Sequence, residues 1–354
     1  MNFLFSGKRI GGIHVVLPRR ELLFADDMSA FGFSPERSRR LQEVMGYDRH
    51  RVVEPGVCVS DLASAGLQHL FDQHLLQPDE FDALLVLTQS PDHFIPPTSN
   101  IIQGRLGLKQ DLFCLDINQG CAAWLVGLIQ ACLLLEQSAV RKVLLIAGDV
   151  ISRRVSPRDR NSFPLIGDGI GIALIEKSPE AGLIHANLRM DGSRGSALTI
   201  PAGGFRMPST PQTALETDAG DSNFRSLDHL HMDGTAVFNF VQREVPPLID
   251  ELLRFAGIPE HTIDYYLFHQ PNRFMLEKLA ARMKVDRARM PSNVVENFGN
   301  SSGASIPVNI ALNLSHVLHS TTLNVCFAGF GSGLTWSSML LSLGPLRFCS
   351  IQHI

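Results

Sequence analysis

The chain has little of what marks a secreted, membrane-spanning or nucleic-acid-binding protein. Its six cysteines (Cys58, Cys114, Cys121, Cys132, Cys326 and Cys349) are scattered through 354 residues, with no Cys-x-x-Cys pair. That spacing excludes a disulfide framework, so reduced thiols are expected and one of them can be reactive. No apolar run approaches the roughly 20 residues that a bilayer-spanning helix needs. The opening Met1-Asn-Phe-Leu-Phe-Ser-Gly-Lys-Arg-Ile10 places its charges after a short apolar stretch, the reverse of a secretory leader, and a cytoplasmic protein with no membrane partner is expected. Neither sign of charge dominates: Lys+Arg 31 against Asp+Glu 35 gives a net charge of -4, which offers nucleic acid no global attraction. What the chain does have is 45% hydrophobic residues, enough to bury a large core, over a length that suits two domains or one duplicated domain.

Short apolar runs alternate with longer helical patterns, which predicts an α/β protein with buried sheet. Asp82–Thr88, Leu112–Ile117, Lys142–Ala147 and Ile170–Ile175 read as strands of a first half spanning residues 1–180. Between the second and third of these, Ala122–Gln137 is apolar on nearly every face, the mark of a helix buried in the middle of a protein. The second half, 181–354, repeats the scheme with strands at Ile263–Phe268, Thr322–Ala328 and Leu334–Leu341 and helices at Arg273–Met283 and Ile306–Leu318. Phe81-Asp82 and Ile263-Asp264 open corresponding strands, a hint of duplication. The polar stretch Gly203–Asp228 lacks periodicity and reads as a surface excursion that could cover the mouth of a site. The C-terminal Arg347–Ile354 says nothing about substrate, and Cys349 reads as a tail residue.

Three segments end apolar runs on residues suited to acyl transfer: Cys121 in Asp116-Ile-Asn-Gln-Gly-Cys121, His269 in Tyr266-Leu-Phe-His269-Gln-Pro-Asn272, and Asn300 in Phe298-Gly-Asn300-Ser-Ser-Gly-Ala304. Cys121 precedes the buried helix, where unpaired N–H groups and the helix dipole favour a thiolate; a thiol near roughly 8.5 can fall to about 3.5–7.5 in such a place. Taken singly, each has an ordinary structural reading: a core cysteine, a structural histidine, a turn that caps the next helix. Cys114, Cys132 and Cys326 read as core. Gly167-Asp-Gly-Ile-Gly171 leads into a strand and so is a tight packing site and no dinucleotide loop. His229-Leu-His231 has no acidic or cysteine partner at metal-ligand spacing, so no metal is expected.

Together the motifs resemble those of the thiolase-like ketosynthases, most of all β-ketoacyl-acyl-carrier-protein synthase III. The resemblance runs through Gln89-Ser-Pro-Asp-His-Phe-Ile-Pro-Pro-Thr98, Asp116–Cys121, Asp159-Arg160, Ile166-Gly-Asp-Gly169, Pro201-Ala-Gly-Gly204, Met232–Phe238, His269–Asn272, Gly299-Asn-Ser-Ser302 and Gly329-Phe-Gly-Ser-Gly-Leu-Thr-Trp336. It implies a five-layered α-β-α-β-α fold of two pseudo-equivalent halves, normally a homodimer. It also implies Cys121 as acyl acceptor, backbone N–H groups of Cys121 and Ser332 as the oxyanion hole, and His269 and Asn300 as donors to the enolate of a decarboxylating malonyl unit. No cofactor is implied beyond the substrates, acyl-CoA or acyl-carrier protein and malonyl-carrier protein. Phe330 and Ile95 are expected at the acyl pocket, Ile95 by crossing the dimer interface. Arg40, Arg160, Asn272 and Arg273 are expected to meet CoA, phosphopantetheine or the carrier.

The chain departs from that pattern in places. The indole and the Arg-Thr-Gly that clamp CoA in the family are replaced by Arg40-Leu-Gln-Glu-Val-Met-Gly46, which puts CoA as donor in question. Asn239 stands where a carrier-docking lysine is expected, although Arg243, Arg273, Lys278, Arg282 and Lys284 could form a basic surface. Ser332 replaces a glycine of the hole. Two other readings therefore stand beside the condensing enzyme: an acyltransferase that hands the acyl group to an alcohol or amine without decarboxylation, and a non-catalytic partner subunit of another ketosynthase.

Overall fold

The computed structural model describes residues 1–220 and 223–354. Two mixed sheets carry the chain. The first is built from β2 (Lys8–Leu17), β3 (Ala83–Leu87), β4 (Phe113–Ile117), β5 (Lys142–Asp149), β6 (Gly169–Lys177) and β11 (Cys349–His353), in the order β11-β2-β6-β5-β3-β4. The second contains β1 (Asn2–Phe5), β7 (Ile184–Met190), β8 (Tyr265–Phe268), β9 (Leu323–Gly331) and β10 (Thr335–Leu343), in the order β1-β7-β10-β9-β8. In both sheets the strand that leads to a motif pairs in parallel with a neighbour: β3 with β4 and β5, β8 with β9. Strands covered on both faces need continuous apolar runs, and Ala83-Leu-Leu-Val-Leu87 is buried at every position.

The apolar helix Ala123–Leu134 and its counterpart Ser305–Leu318 lie between the sheets and touch both. Their side chains, with those of the inner sheet faces, form the largest core. Val59–Asp72 and Thr98–Arg105 cover the outer face of the first sheet, and Gly234–Ala256 and Arg273–Met283 that of the second. Five layers result, as expected of the thiolase-like architecture. Gly171 shows how tightly the layers meet: a Cβ there would sit 2.2 Å from the Pro307 ring, so the glycine-rich Gly167–Gly171 run serves packing.

The hint of duplication has a physical counterpart. Asp82 donates its N–H to Lys142 O (2.9 Å) and accepts from Lys142 N (3.2 Å). Asp264 donates to Asn324 O (2.8 Å) and accepts from Asn324 N (2.7 Å). Each aspartate thus locks the start of its strand to the strand beside it. The boundary at 180/181 falls in the turn between β6 and β7, yet two strands cross it: β1 pairs with β7 in the second sheet and β11 with β2 in the first.

Several elements differ from expectation. Cys349 is no tail residue; it is buried in β11, whose residues bond to β2 from Ile13 to Leu17. The 23-residue helix Gly234–Ala256 runs through Pro246 and Pro247, which remove two N–H donors and obscure the pattern. It persists because Asp233 caps Ala236 N (2.9 Å) and because Phe240, Val241, Val245, Leu248, Ile249 and Leu252 are buried along one face. The Gly203–Asp228 excursion contains a short antiparallel pair, Thr217–Asp218 with Phe224–Arg225; residues 221 and 222 lie outside the described residues. Phe205 from this stretch packs on Phe94 with ring centroids 5.6 Å apart, and none of the stretch's described residues is among those lining the cavity considered next.

Candidate active site

Cys121 follows β4 by a short turn and stands two residues before the buried helix Ala123–Leu134. His269 follows β8 directly, its N–H held by Ala328 O (2.8 Å). Both lie at the carboxyl ends of parallel strands, where such sheets leave room for a site. Asn300 is fixed by its backbone, which donates to Leu165 O (2.7 Å) and accepts from Gly167 N (3.0 Å). The three residues line one cavity of about 510 Å³. Phe330, Gly331 and Asn272 complete its chemical end, and Val237, Phe238, Phe274 and Met275 supply apolar walls.

Hydrogen bonds set the orientation of each group. Asn300 Oδ1 accepts from Ser302 N (3.0 Å), which turns the carboxamide NH₂ away as a donor. His269 Nδ1 lies 2.7 Å from Ser305 Oγ, which itself accepts from Gln270 N (3.3 Å). In the tautomer in which Ser305 gives its proton to Nδ1, the ring keeps its hydrogen on Nε2. Burial pushes the imidazole down to about 3, with the Ser302 backbone pulling the other way, so the ring is neutral. Phe330 stands edge-on to it at 5.5 Å.

The expected thiolate is corrected by its surroundings. Burial, and then the nearby Asp149 carboxylate, push the Cys121 thiol up to about 12, against the pull of the Ser302 hydroxyl 4.0 Å away. The helix N-terminus is where the sequence puts it, but the half-buried thiol also has the Asp149 carboxyl beside it, which opposes ionisation of the sulfur. Sequence reasoning missed Asp149 altogether. It ends β5 with 1% exposure and accepts from Thr88 Oγ1 (2.9 Å), Gln89 N (2.6 Å) and Ser90 Oγ (3.1 Å). Burial raises its own pKa against these donors and the Ser302 hydroxyl. The signal was an ionisable residue closing the apolar run Val143–Gly148. Ser302 was quoted as a small motif residue; its φ of 50° is left-handed, and it touches Asn300, Asp149 and Cys121.

Residues 115–192 match the family model for 3-oxoacyl-[acyl-carrier-protein] synthase III, and residues 253–343 match the model of its C-terminal part. A β-ketoacyl-[acyl-carrier-protein] synthase III of Streptococcus mutans is 33% identical over 304 residues, covering 83% of this chain and 88% of its own. The Lactococcus lactis synthase III is 31% identical over 298 residues, with 83% and 88% covered. A 3-oxoacyl-(acyl-carrier protein) synthase structure from Burkholderia xenovorans superposes with a TM-score of 0.91 at 31% identity, over 100% of this chain and 99% of that one. The chain belongs to the β-ketoacyl-acyl-carrier-protein synthase III family. It is accordingly an acyltransferase of the ketosynthase type.

Around this synthase III core the remaining expected residues are spread out. Asn272 lines the cavity and caps its helix by accepting from Met275 N (2.8 Å). Arg160 lies in an adjoining recess that shares Met45, Asn161 and Leu165 with the cavity, its guanidinium 5.6 Å from the Phe33 ring. Phe33, unnoticed in the sequence, also takes Arg37 at 4.0 Å. Arg273 pairs with Glu296. Arg40 is 78% exposed on the helix Pro35–Met45, pairs with Glu36 (3.3 Å), and is not among the cavity's lining residues. Ile95 is 83% exposed and does not line the cavity that holds Cys121. His229 and His231 both turn onto Ser226 (3.0 Å to its hydroxyl and 2.9 Å to its carbonyl). Among the described residues no cluster of three or more His, Cys, Asp or Glu is placed to hold a metal, and no helix is long and apolar enough to cross a membrane.

Proposed function

We propose that Cys121 is the acyl acceptor of a decarboxylative condensation, with His269 and Asn300 serving the extender unit. The convergence of a thiol, a neutral imidazole and an oriented carboxamide on one cavity carries this reading. In the first half-reaction the sulfur attacks an acyl thioester, the bond to the carrier sulfur breaks, and the carrier thiol leaves with the proton. Backbone N–H groups of Cys121 and Ser332 hold the tetrahedral oxyanion. A malonyl thioester then loses CO₂, and its enolate oxygen accepts hydrogen bonds from His269 Nε2 and the Asn300 NH₂. The enolate carbon attacks the acyl carbonyl, the carbon–carbon bond forms, and Cys121 leaves as a thiolate that regains its proton. Neutral His269 suits this work, because an imidazole held near about 3 donates one hydrogen bond without carrying charge. The steps balance without metal or redox cofactor.

The donor and extender are acyl and malonyl units on carrier protein, docked at a basic surface that includes the exposed Arg243 of the helix Gly234–Ala256, whose first turns line the cavity. The working unit is a homodimer in the cytoplasm; exposed Phe94, Ile95 and Phe205 support the first, and six unpaired cysteines the second. Intact-mass analysis after exposure to a panel of acyl-CoA and acyl-carrier-protein substrates tests the reading. An adduct on Cys121 that disappears with CO₂ release on adding malonyl-carrier protein is expected. An adduct discharged by an alcohol or amine without CO₂ would replace condensation by plain acyl transfer, and no adduct would make the chain a non-catalytic partner.

A further inference from the structure

Gln89 reaches the side chain of Ser332 and the residue before Cys121, the two residues assigned above to the oxyanion hole. Its main chain is anchored at the end of β3, where its N–H donates to buried Asp149 (2.6 Å). From that anchor the carboxamide Nε2 donates to the Ser332 hydroxyl (2.8 Å). The same carboxamide packs against Gly120: a Cβ at that position would stand 2.0 Å from Gln89 Oε1 and 2.7 Å from Cδ. Gly120 immediately precedes Cys121, and Ser332 follows Gly331, which packs directly on Cys121. Neither Gln89 nor Ser332 lines the cavity that holds His269 and Asn300.

We propose that Gln89 is a positioning residue for the oxyanion hole, gripping Ser332 through its hydroxyl while resting on Gly120, so that the Cys121 and Ser332 N–H groups converge on one point. The inference rests on Cys121 being the acyl acceptor. A two-donor hole works through preorganisation: donors already in place when charge develops cost no rearrangement at that moment. The Ser332 loop is flanked by Gly331 and Gly333, residues with wide backbone freedom, and a glycine at 332 would leave nothing to hold. A serine offers a handle, and Gln89 is the hand on it. The serine that departs from the family pattern and the glutamine opposite it thus form one device.

Acylation needs the hole, whereas alkylation of the same sulfur by iodoacetamide forms no oxyanion. Both rates on Cys121 are measured in the full-length wild type, Gln89→Ala, Ser332→Ala and the double variant, with acetyl- and octanoyl-CoA and the corresponding acyl-carrier proteins as probes. Each single variant is expected to acylate roughly ten- to a hundredfold more slowly, the range that a small misplacement costs, while alkylating at the wild-type rate. The double variant should be no slower than the singles, since one contact is lost in all three. Unchanged acylation in Gln89→Ala overturns the inference, as do losses that multiply in the double variant or an equal fall in alkylation. A wild type that no probe acylates on Cys121 overturns the proposed function itself, and this inference with it.

Discussion

Gly331 presses on Cys121 so closely that a Cβ on the glycine would stand 2.5 Å from Cys121 Cβ and 3.0 Å from its sulfur. The nucleophile candidate therefore faces bare backbone on that side, and the Ser302 hydroxyl at 4.0 Å on another. Gly331→Ala must push the thiol or the loop aside. Acylation is expected to fall by roughly a hundredfold or more, because near-attack geometry tolerates little displacement. Stopped-flow acylation alongside a thermal melt checks this; an alanine variant that acylates normally would show that the contact has no bearing on the reaction.

The elevated thiol has a pH signature. With its pKa pushed up to about 12, Cys121 is protonated at neutral pH, and its alkylation by iodoacetamide should climb about tenfold per pH unit through the alkaline range. Asp149→Asn removes the anion that is the second cause of the elevation, so its profile should lie at lower pH. A wild-type profile that is already flat above about pH 7 would restore the low-pKa thiolate expected from the helix N-terminus.

His269→Ala and Asn300→Ala separate the half-reactions. Each removes one donor to the enolate, a loss that typically costs on the order of 10²–10³ in rate. Decarboxylation of malonyl-carrier protein should drop by that much, while acylation of Cys121 changes far less. Equal damage to both steps would reassign His269 to accepting the thiol proton, which calls for the opposite tautomer, with the hydrogen on Nδ1 and Ser305 accepting it.

Ile95→Phe probes the acyl pocket through the dimer. If this exposed side chain floors the partner's pocket, the larger ring should shift preference toward shorter acyl groups, by about 1–3 kcal/mol for each excluded methylene. Acylation rates across a chain-length series give the answer, and parallel profiles for the two proteins would remove Ile95 from the pocket.

Acid should loosen the edge of the first sheet. His14 in β2 bonds Ser350 Oγ (2.9 Å) and Gln352 Oε1 (3.1 Å) in β11 and stacks on His69 at 5.3 Å. Burial lowers it to about 4, with Gln352 raising and His69 lowering it further. Because the folded value lies below the unfolded 6.5, the unfolded chain takes the proton first. The contribution is complete above about pH 6.5 and is lost as pH falls toward about 4, at about 1.4 kcal/mol per pH unit. Urea unfolding of the wild type and His14→Gln should give a stability difference that is constant near neutrality and shrinks below about pH 6.5. A constant difference throughout would place the acid sensitivity on other groups.

What could be read from the sequence follows from how each residue does its work. Cys121 and His269 stand at junctions between strongly patterned elements, after apolar runs that mark strands, and Asn300 stands in a run of small residues before a patterned helix. β3, β5, β9 and the helix Arg273–Met283 were legible for the same reason. The helix Gly234–Ala256 was hidden by two prolines, and β11 by its polar Ser350 and Gln352, whose partner His14 is more than 300 positions away in the chain. Gln89 and Asp149 act through contacts with segments distant in sequence, which no local pattern encodes. The elevation of the Cys121 thiol could not be read because a helix end is visible in a sequence, whereas desolvation by the fold and a neighbouring carboxyl are not.

The crossing of β1 and β11 between the two halves ties the chain into a closed circuit. Each sheet owns an edge that belongs, by position in the gene, to the other. Loss of Cys349–Ile354 would strip the sheet that leads to Cys121 and leave the strands around His269 whole, and trimming Asn2–Phe5 would do the opposite. A truncation at either tip is therefore an injury to the far half, and neither half can be cut out at 180/181 without taking an edge strand from the other.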